Sequence, residues 1–410
     1  MEKYRFHLLT LPHLPQSKMY SSCAFTQKNR KLAKMLTSLG HEVFFYASSG
    51  SDVEEYCNSD NLHFVETHTV KDIAQTYGDG DNRYEIGYNW QNTDFRHDLS
   101  TEKTALTQKY YAKCIEEINR VKKHDDFLLV TQGLYHLTIV NGVQLPLTCE
   151  SGIGYRGSCP QIPYHAWESA FGRNFSYGSW YPQEDIDGNP LDRVIPNYYD
   201  PADFQYSEEK NDFFLYMGRI IRRKGLMTAM QTCDMLGKRL IIVGQGGTVT
   251  KDGWLTATTS PDFQYPPGHW VYAGFANTER RKVLLSKAKA VFVPTIYMEQ
   301  FGGVHVEAML SGTPVITSAH GVFGDNSFRD GYHGFKCDTL DDYVFAAEHV
   351  DKLVPENIRK FAEYYTLDRV RWQYQRWFED CMAHYQSEPG RTFIRNEVPE
   401  WRKAYYGNLL

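Results

Sequence analysis

The stretch AVFVPTIYMEQFGGVHVEAMLSGTPVITS, residues 290–318, predicts a strand, a loop, a helix and a second strand in succession. The run Val291 to Val293 is β-branched and aromatic, as buried strands are, and Pro294 ends it. Apolar residues at helical spacing follow the loop, and Ser311 with Gly312 gives a typical helix end. The pattern therefore predicts an α/β unit whose loop leaves the end of a buried strand.

That loop has the composition of a ligand site. The adjacent glycines Gly302 and Gly303 let the backbone approach a ligand closely, because no Cβ intervenes. They open a helix, so that unpaired N–H groups face an anion there. Two carboxylates, Glu299 and Glu307, flank the same spot. Phosphate alone would not favour acids here, whereas a sugar diphosphate offers hydroxyls to the carboxylates and phosphate to the helix end.

A second candidate site segment, which is basic, follows the predicted strand 213–217. Arg219 and Lys224 lie between Gly218 and Gly225, and their side chains offer a planar fork and a point charge for phosphate oxygens.

The turn GQGG after strand 240–243 lacks the third glycine of a dinucleotide fingerprint, which disfavours an oxidoreductase.

These motifs together resemble the nucleotide-sugar site of family 4 glycosyltransferases of the GT-B fold, of a type seen in viral, phage and bacterial genomes. The resemblance implies an α/β protein with two Rossmann-like domains that face each other across a cleft. Its C-terminal helix would cross back to the N-terminal domain. The implied boundaries are an acceptor-side domain at 1–197, joined by 386–410, and a donor domain at 198–385.

The implied reaction is transfer of a sugar from a nucleotide diphosphate sugar, UDP- or GDP-linked, to an acceptor hydroxyl with retention of configuration. By resemblance, Glu299, Arg219 and Lys224 are the catalytic residues, and neither a metal nor another cofactor is required. The donor would also be bound by Glu307, Phe301, Gly302, Gly303, Gly218, Gly244 and Gly274.

Candidates for the acceptor side are fewer. Glu150 and Tyr155 follow a predicted strand at 145–149, where open α/β sheets place ligands. His13 and His136 are further candidates, although a lone histidine is more often a structural residue. Trp90 lies in a polar, aromatic segment at 78–100 that we interpret as a long loop, with either an acceptor-binding or a purely structural role.

Length and composition limit the remaining choices. A chain of 410 residues is too long to fold around one hydrophobic core, so two domains are expected. The formal net charge of −6 argues against a broad nucleic-acid surface. The resemblance implies a glycan or lipid-linked glycan as the acceptor, and the charge leans against its alternative in a viral or phage setting, a hydroxymethylated DNA base. Eight scattered cysteines, without C-x-x-C, and no long apolar run favour a cytoplasmic protein.

Other activities are compatible with part of the pattern. A nucleotide-sugar epimerase can share the two-domain fold, and a protein that only binds a nucleotide sugar would show the same motifs. The triplet His305-Val306-Glu307 also matches the H-x-E of zinc deaminases. No P-C-x-x-C follows it, which excludes that class.

Overall fold

The fold is given by a computed structural model that describes residues 2–21, 23–77, 104–181, 188–258, 260–325 and 327–387. The segment 78–100 with the candidate Trp90 lies outside the described residues, as does most of 386–410.

The first half of the chain forms alternating strands and helices. Its strands are β1 (Arg5–Leu9), β2 (Glu42–Ser48), β3 (Leu62–His68), β4 (Phe127–Val130), β5 (Leu147–Ile153), β6 (Tyr164–Trp167) and β7 (Arg193–Val194). Its helices are α1 (Ala24–Ser38), α2 (Val53–Cys57), α3 (Val70–Tyr77), α4 (Ala105–Val121), α5 (Gly133–Val143) and α6 (Ala170–Trp180). The strands form a parallel sheet in the order β3-β2-β1-β4-β5-β6-β7, over the described residues. We call this unit the N-terminal lobe.

The second half repeats the plan. Its strands are β8 (Phe214–Met217), β9 (Leu240–Val243), β10 (Gly247–Val249), β11 (Leu255–Ala257), β12 (Ser260–Tyr265), β13 (Trp270–Tyr272), β14 (Ala290–Val293), β15 (Val315–Ser318) and β16 (Gly334–Cys337). Its helices are α7 (Leu226–Leu236), α8 (Thr278–Lys287), α9 (Val304–Leu310), α10 (Leu340–His349), α11 (Pro355–Ala362) and α12 (Leu367–Tyr385).

The main sheet of this half is parallel, in the order β13-β9-β8-β14-β15-β16, again over the described residues. We call it, with α7 to α11, the C-terminal lobe. Strands β10 to β12 form a small antiparallel sheet beside it. Short 3-10 helices connect the elements at Lys18–Tyr20, Pro201–Asp203, Arg222–Lys224, Gly321–Gly324, Val350–Lys352 and Glu363–Tyr365.

Helix α12 returns to the N-terminal lobe. Its apolar face, with Tyr374, Trp377 and Phe378, is buried in the same core as Phe6 of β1 and Leu36 of α1. Helix α12 thus crosses back to the N-terminal lobe, as the sequence predicts. The apolar stripe of α12 is the reason, because it completes the core of the first sheet.

Two segments connect the lobes where they meet. The N–H of Tyr199 donates to the carbonyl of Tyr365 at 2.9 Å, and the N–H of Leu367 donates to the carbonyl of Tyr199 at 2.9 Å. These bonds form an isolated parallel bridge between Tyr199 and Thr366. The outgoing linker and the returning chain thus lie side by side.

No helix within the described ranges combines the length and the apolar character needed to cross a bilayer.

Candidate functional site

A cavity of about 1100 Å³ lies between the two lobes. On the C-terminal side its wall includes the loops that follow β8 and β14. These two strands are neighbours in the sheet, but their connections run to opposite sides of it, through β9 and through β15. Open α/β sheets place ligands at such a switch in strand order.

The loop after β8 is held against the loop after β9 by backbone contacts. The N–H of Gly218 donates to the carbonyl of Val243 at 3.0 Å. Gly244 adopts φ +152°, and a Cβ there would overlap the carbonyl oxygen of Gly218. The two turns therefore need this glycine to approach each other, and their packing fixes Arg219 on the cavity wall.

Arg219 lies in a partly desolvated position. Burial and the neighbouring Arg223 lower the pKa of its guanidinium, and the carboxylate of Glu299 opposes this shift. The hydroxyl of Tyr216 donates to the carbonyl of Arg219 at 3.1 Å. A partly buried guanidinium of this kind gains more from an anionic ligand than an exposed one does.

The loop after β14 is bound to the loop after β8. The carbonyl of Arg223 accepts from the N–H groups of Ile296 and Tyr297 at 2.9 and 3.0 Å. Lys224 and Glu299 are thereby brought together and form an ion pair. Glu299 is only 8% exposed, and both side chains face the cavity.

Gly302 and Gly303 form the turn into α9. Gly302 adopts φ +70°, and a Cβ on it would lie 2.9 Å from the ring of Phe323. The N–H groups of Gly302, Gly303 and Val304 have no hydrogen-bond acceptor among the described residues, and all three residues line the cavity. One turn further, Glu307 forms an ion pair with Arg281 of α8.

The structure thus places most of the predicted donor-side residues on one wall. Those that line the cavity are Gly218, Arg219, Lys224, Gly244, Glu299, Phe301, Gly302, Gly303 and Glu307. Gly274 does not line it; its carbonyl accepts from the N–H of Gly244 at 2.9 Å, and its neighbour Phe275 reaches the wall instead.

The acceptor-side candidates divide. Tyr155 lines the cavity, whereas Glu150 does not and is 0% exposed. Glu150 accepts hydrogen bonds from the N–H groups of Gly133 and Cys159, both at 2.9 Å, and from the hydroxyl of Tyr155 at 2.6 Å. Burial raises the pKa of this carboxyl. Glu150 thus joins α5 to the turn that positions Tyr155, and its role toward an acceptor stays a prediction.

The two histidines are also internal. His13 is buried with its Nε2 3.5 Å from the Sγ of Cys23, and although burial opposes it, this contact lowers the pKa of the thiol to about 7. His136 is buried with its Nε2 3.0 Å from the carbonyl oxygen of Thr10. Neither residue is part of the cavity wall, and the acceptor-side role of His13 stays a prediction.

The sequence analysis missed a row of cations on the N-terminal wall. Lys28, Lys31 and Lys34 of α1 all line the cavity. Their spacing of three residues along one helix is the pattern that could have revealed them. Arg281, the partner of Glu307, was missed for a different reason, because no spacing relates the two residues.

Among the described residues, no cluster of three or more histidine, cysteine or acidic side chains could hold a metal ion.

Comparison with known families identifies the second half of the chain. Residues 201–366 match the family described as "Glycosyl transferases group 1". A curated relative, "Uncharacterized glycosyltransferase MJ1607" of Methanocaldococcus jannaschii, is 30% identical over 151 residues, which cover 32% of this chain and 36% of that protein. The chain thus spans about a third of the length of the curated relative it matches.

Solved structures match over nearly the whole chain. AviGT4, a glycosyltransferase of avilamycin A biosynthesis, is 18% identical with a TM-score of 0.58, covering 93% of this chain and 98% of that one. Sucrose-phosphate synthase from Thermosynechococcus elongatus is 16% identical with a TM-score of 0.59, and the match covers 93% of this chain and 100% of that one. Anabaena HepE, solved with UDP-glucose, is 12% identical with a TM-score of 0.59, covering 92% and 99%. The fold is GT-B, with two Rossmann-like lobes, as predicted, and residues 201–366 within it match the glycosyltransferase group 1 family.

Proposed function

We propose that this protein is a retaining glycosyltransferase of family 4 that moves a sugar from a nucleotide diphosphate sugar to an acceptor hydroxyl. One observation supports it most directly. A single interlobe cavity is lined by two cations, Arg219 and Lys224, by the Gly302–Gly303 turn, and by the carboxylates Glu299 and Glu307. A sugar joined to a diphosphate offers complementary groups to all of them.

The donor would be divided among these residues. Arg219, Lys224 and the N–H groups of the turn bind the diphosphate, and Glu299 binds hydroxyls of the transferred sugar. Glu307 binds the ribose. Both acids are ion-paired, Glu299 with Lys224 and Glu307 with Arg281. A bound diphosphate would attract Lys224, which frees the oxygens of Glu299 for sugar hydroxyls.

The proposed transfer step retains the configuration at C1. The acceptor oxygen forms a bond to C1 of the sugar on the face from which the nucleoside diphosphate departs, and the bond from C1 to the phosphate oxygen breaks. The acceptor proton passes to the departing phosphate, so that no protein base is required. Arg219 and Lys224 stabilise the negative charge that develops on the leaving group, the role that a metal ion plays in other enzymes.

We propose UDP as the nucleotide, with GDP as the alternative. HepE, which shares the fold, was solved with UDP-glucose. For the acceptor we propose a glycan or lipid-linked glycan. A hydroxymethylated DNA base, the alternative expected for a viral or phage enzyme, would require a broad basic surface, and the net charge of −6 disfavours one.

A cytoplasmic location is part of the proposal. All eight cysteines are free thiols, and all but Cys57 are buried. Unpaired cysteines fit a reducing compartment.

The first test is ligand-induced thermal stabilisation with a panel of nucleotide sugars and free nucleoside diphosphates. The true donor is expected to raise the melting temperature in a concentration-dependent manner. If no member of the panel does so, the proposed donor site is wrong.

A second measurement separates the proposed activity from its alternatives. The donor is incubated with candidate acceptors, and the products are analysed by NMR for the configuration at C1. A transferase releases nucleoside diphosphate and forms a linkage with the donor's anomeric configuration. An epimerase would change the sugar stereochemistry without an acceptor, and a binding protein would release no nucleoside diphosphate.

A further inference from the structure

Lys31 is a buried cation on the N-terminal wall of the interlobe cavity. It is 9% exposed and lines the cavity from the middle of α1. Within the described part of the chain, its Nζ makes no hydrogen bond or ion pair. Its recorded contact is the ring of Tyr199, whose centroid lies 4.8 Å from the Nζ.

The neighbouring cations of the same helix are paired. Lys28 lies 3.4 Å from Glu168, and Lys34 lies 2.8 Å from Asp200. Arg30 forms an ion pair of 2.5 Å with Asp52. Lys31 therefore differs from them in its environment, although it lies on the same face as Lys28 and Lys34.

Burial without a partner is unfavourable for a charged group. Burial lowers the pKa of Lys31, and the charge of Arg30 acts in the same direction. The carboxylates of Asp203, Glu307 and Asp200 oppose that shift, but none of them comes within ion-pair distance. The presence of a buried cation at this position is therefore better explained by a role in binding a ligand than by a contribution to folding stability.

The surroundings of Lys31 identify the class of ligand. The hydroxyl of Tyr199, on whose ring the ammonium lies, donates to the carbonyl of Gly303 at 3.3 Å. Gly303 belongs to the turn whose N–H groups have no acceptor among the described residues. Lys31 thus approaches, from the N-terminal lobe, the same turn that offers N–H groups from the C-terminal lobe. A ligand shared by an ammonium and backbone N–H groups is an anion.

We propose that Lys31 binds the diphosphate of the nucleotide sugar from the N-terminal lobe, so that both lobes hold the same anionic group. This inference rests on the proposed function and extends it. The donor lobe supplies Arg219 and Lys224, and α1 supplies the third cation. Donor binding would therefore also hold the two lobes together around the sugar.

The test compares Lys31→Met with Lys34→Met, a matched variant that removes the same charge from the same helix. Isothermal titration measures the binding of UDP, uridine and inorganic pyrophosphate to each full-length protein. For Lys31→Met we expect the Kd of UDP and of pyrophosphate to rise about 10- to 100-fold, the loss of one charge-assisted hydrogen bond. The Kd of uridine should not change, and Lys34→Met should bind all three like the wild type.

The stability of the unliganded protein provides an independent readout. Because the Nζ of Lys31 has no hydrogen-bond or ion-pair partner among the described residues, Lys31→Met should melt at the wild-type temperature or above it. A fall in melting temperature would show that Lys31 is structural and would overturn the proposal.

The other outcomes are also decisive. If Lys31→Met weakened the binding of UDP and of uridine equally, Lys31 would contact the nucleoside and not the diphosphate. If Lys34→Met weakened UDP binding as much as Lys31→Met does, the effect of Lys31 would be one of general electrostatics. Either result contradicts the proposal. If the wild type binds no nucleoside diphosphate, the proposed function fails, and the pyrophosphate titration still tests Lys31. If the wild type binds neither, both proposals fail.

Discussion

Lys224 and Glu299 form an ion pair across the crevice between the loops that follow β8 and β14. Both residues are proposed to bind the donor, one at its phosphate and the other at its sugar. The two charges neutralise each other, which lowers the free-energy cost of burying Glu299, a residue that is only 8% exposed. The donor would exchange this pair for two new interactions, and that exchange can be tested.

Glu299→Gln keeps the size of the side chain and removes its charge. We expect turnover to fall about 100- to 1000-fold, the effect of removing one preorganised electrostatic group. UDP should still stabilise the protein in thermal shift, because its phosphates contact other residues. Glu279→Gln is the control, since this acid lies on the cavity wall outside the proposed donor contacts. Wild-type turnover in Glu299→Gln would remove Glu299 from the mechanism.

Arg219→Ala should weaken stabilisation of the leaving group. We expect kcat to fall about 100- to 1000-fold, with partial recovery in Arg219→Lys, because lysine restores the charge but not the planar fork. Arg222→Ala is the neighbouring control. That side chain is 72% exposed in a surface ion pair with Asp262, so turnover should stay within about twofold of the wild type. A similar loss in both variants would indicate a non-specific charge effect.

Gly244→Ala tests the backbone packing that positions Arg219. A Cβ at φ +152° would overlap the carbonyl of Gly218, so we expect unfolding free energy to fall by about 3 kcal/mol or more in urea denaturation. Gly274→Ala is the control. That glycine has φ +70°, but no atom lies within 4 Å of the position that a Cβ would take, and its substitution should cost only about 1–2 kcal/mol of backbone strain. Equal losses in the two variants would disprove the role given to the contact.

Trp377→Ala tests the attachment of α12 to the N-terminal lobe. The ring is fully buried, and its Nε1 donates to the carbonyl of Leu191 at 2.9 Å. We expect unfolding free energy to fall by about 3–5 kcal/mol. Trp372→Ala removes a half-buried tryptophan from the same helix and should cost about 1 kcal/mol or less. If both variants lost the same amount, α12 would not be anchored as described.

The sequence predicted the parts of the fold that depend on local pattern. Strand β9 was predicted with its observed bounds, because it is a short apolar run ended by a glycine-rich turn. The small sheet of β10 to β12 was missed. Its strands are short and include polar residues such as Thr248 and Asp262, so that no period-2 pattern stands out.

For the site, the sequence supplied the residues that belong to one motif. Glu299 and Glu307 were identified from their spacing around paired glycines, and the structure brings both to the cavity wall. Glu150 was proposed from its position at a strand end, whereas its carboxylate turns inward to three internal donors, an orientation that the sequence does not indicate. Lys31 could not be singled out from sequence, since its lack of a partner is a property of the packed lobes.

The bridge between Tyr199 and Thr366 limits how the lobes can move. The chain crosses between the lobes at two adjacent points that are hydrogen-bonded to each other. The lobes can therefore rotate about these crossings as a hinge, whereas sliding or twisting of one lobe against the other would break the backbone hydrogen bonds between them. A single proteolytic cut at either crossing would therefore leave the halves joined. Neither half can be isolated by one truncation without stripping α12 from the core it completes.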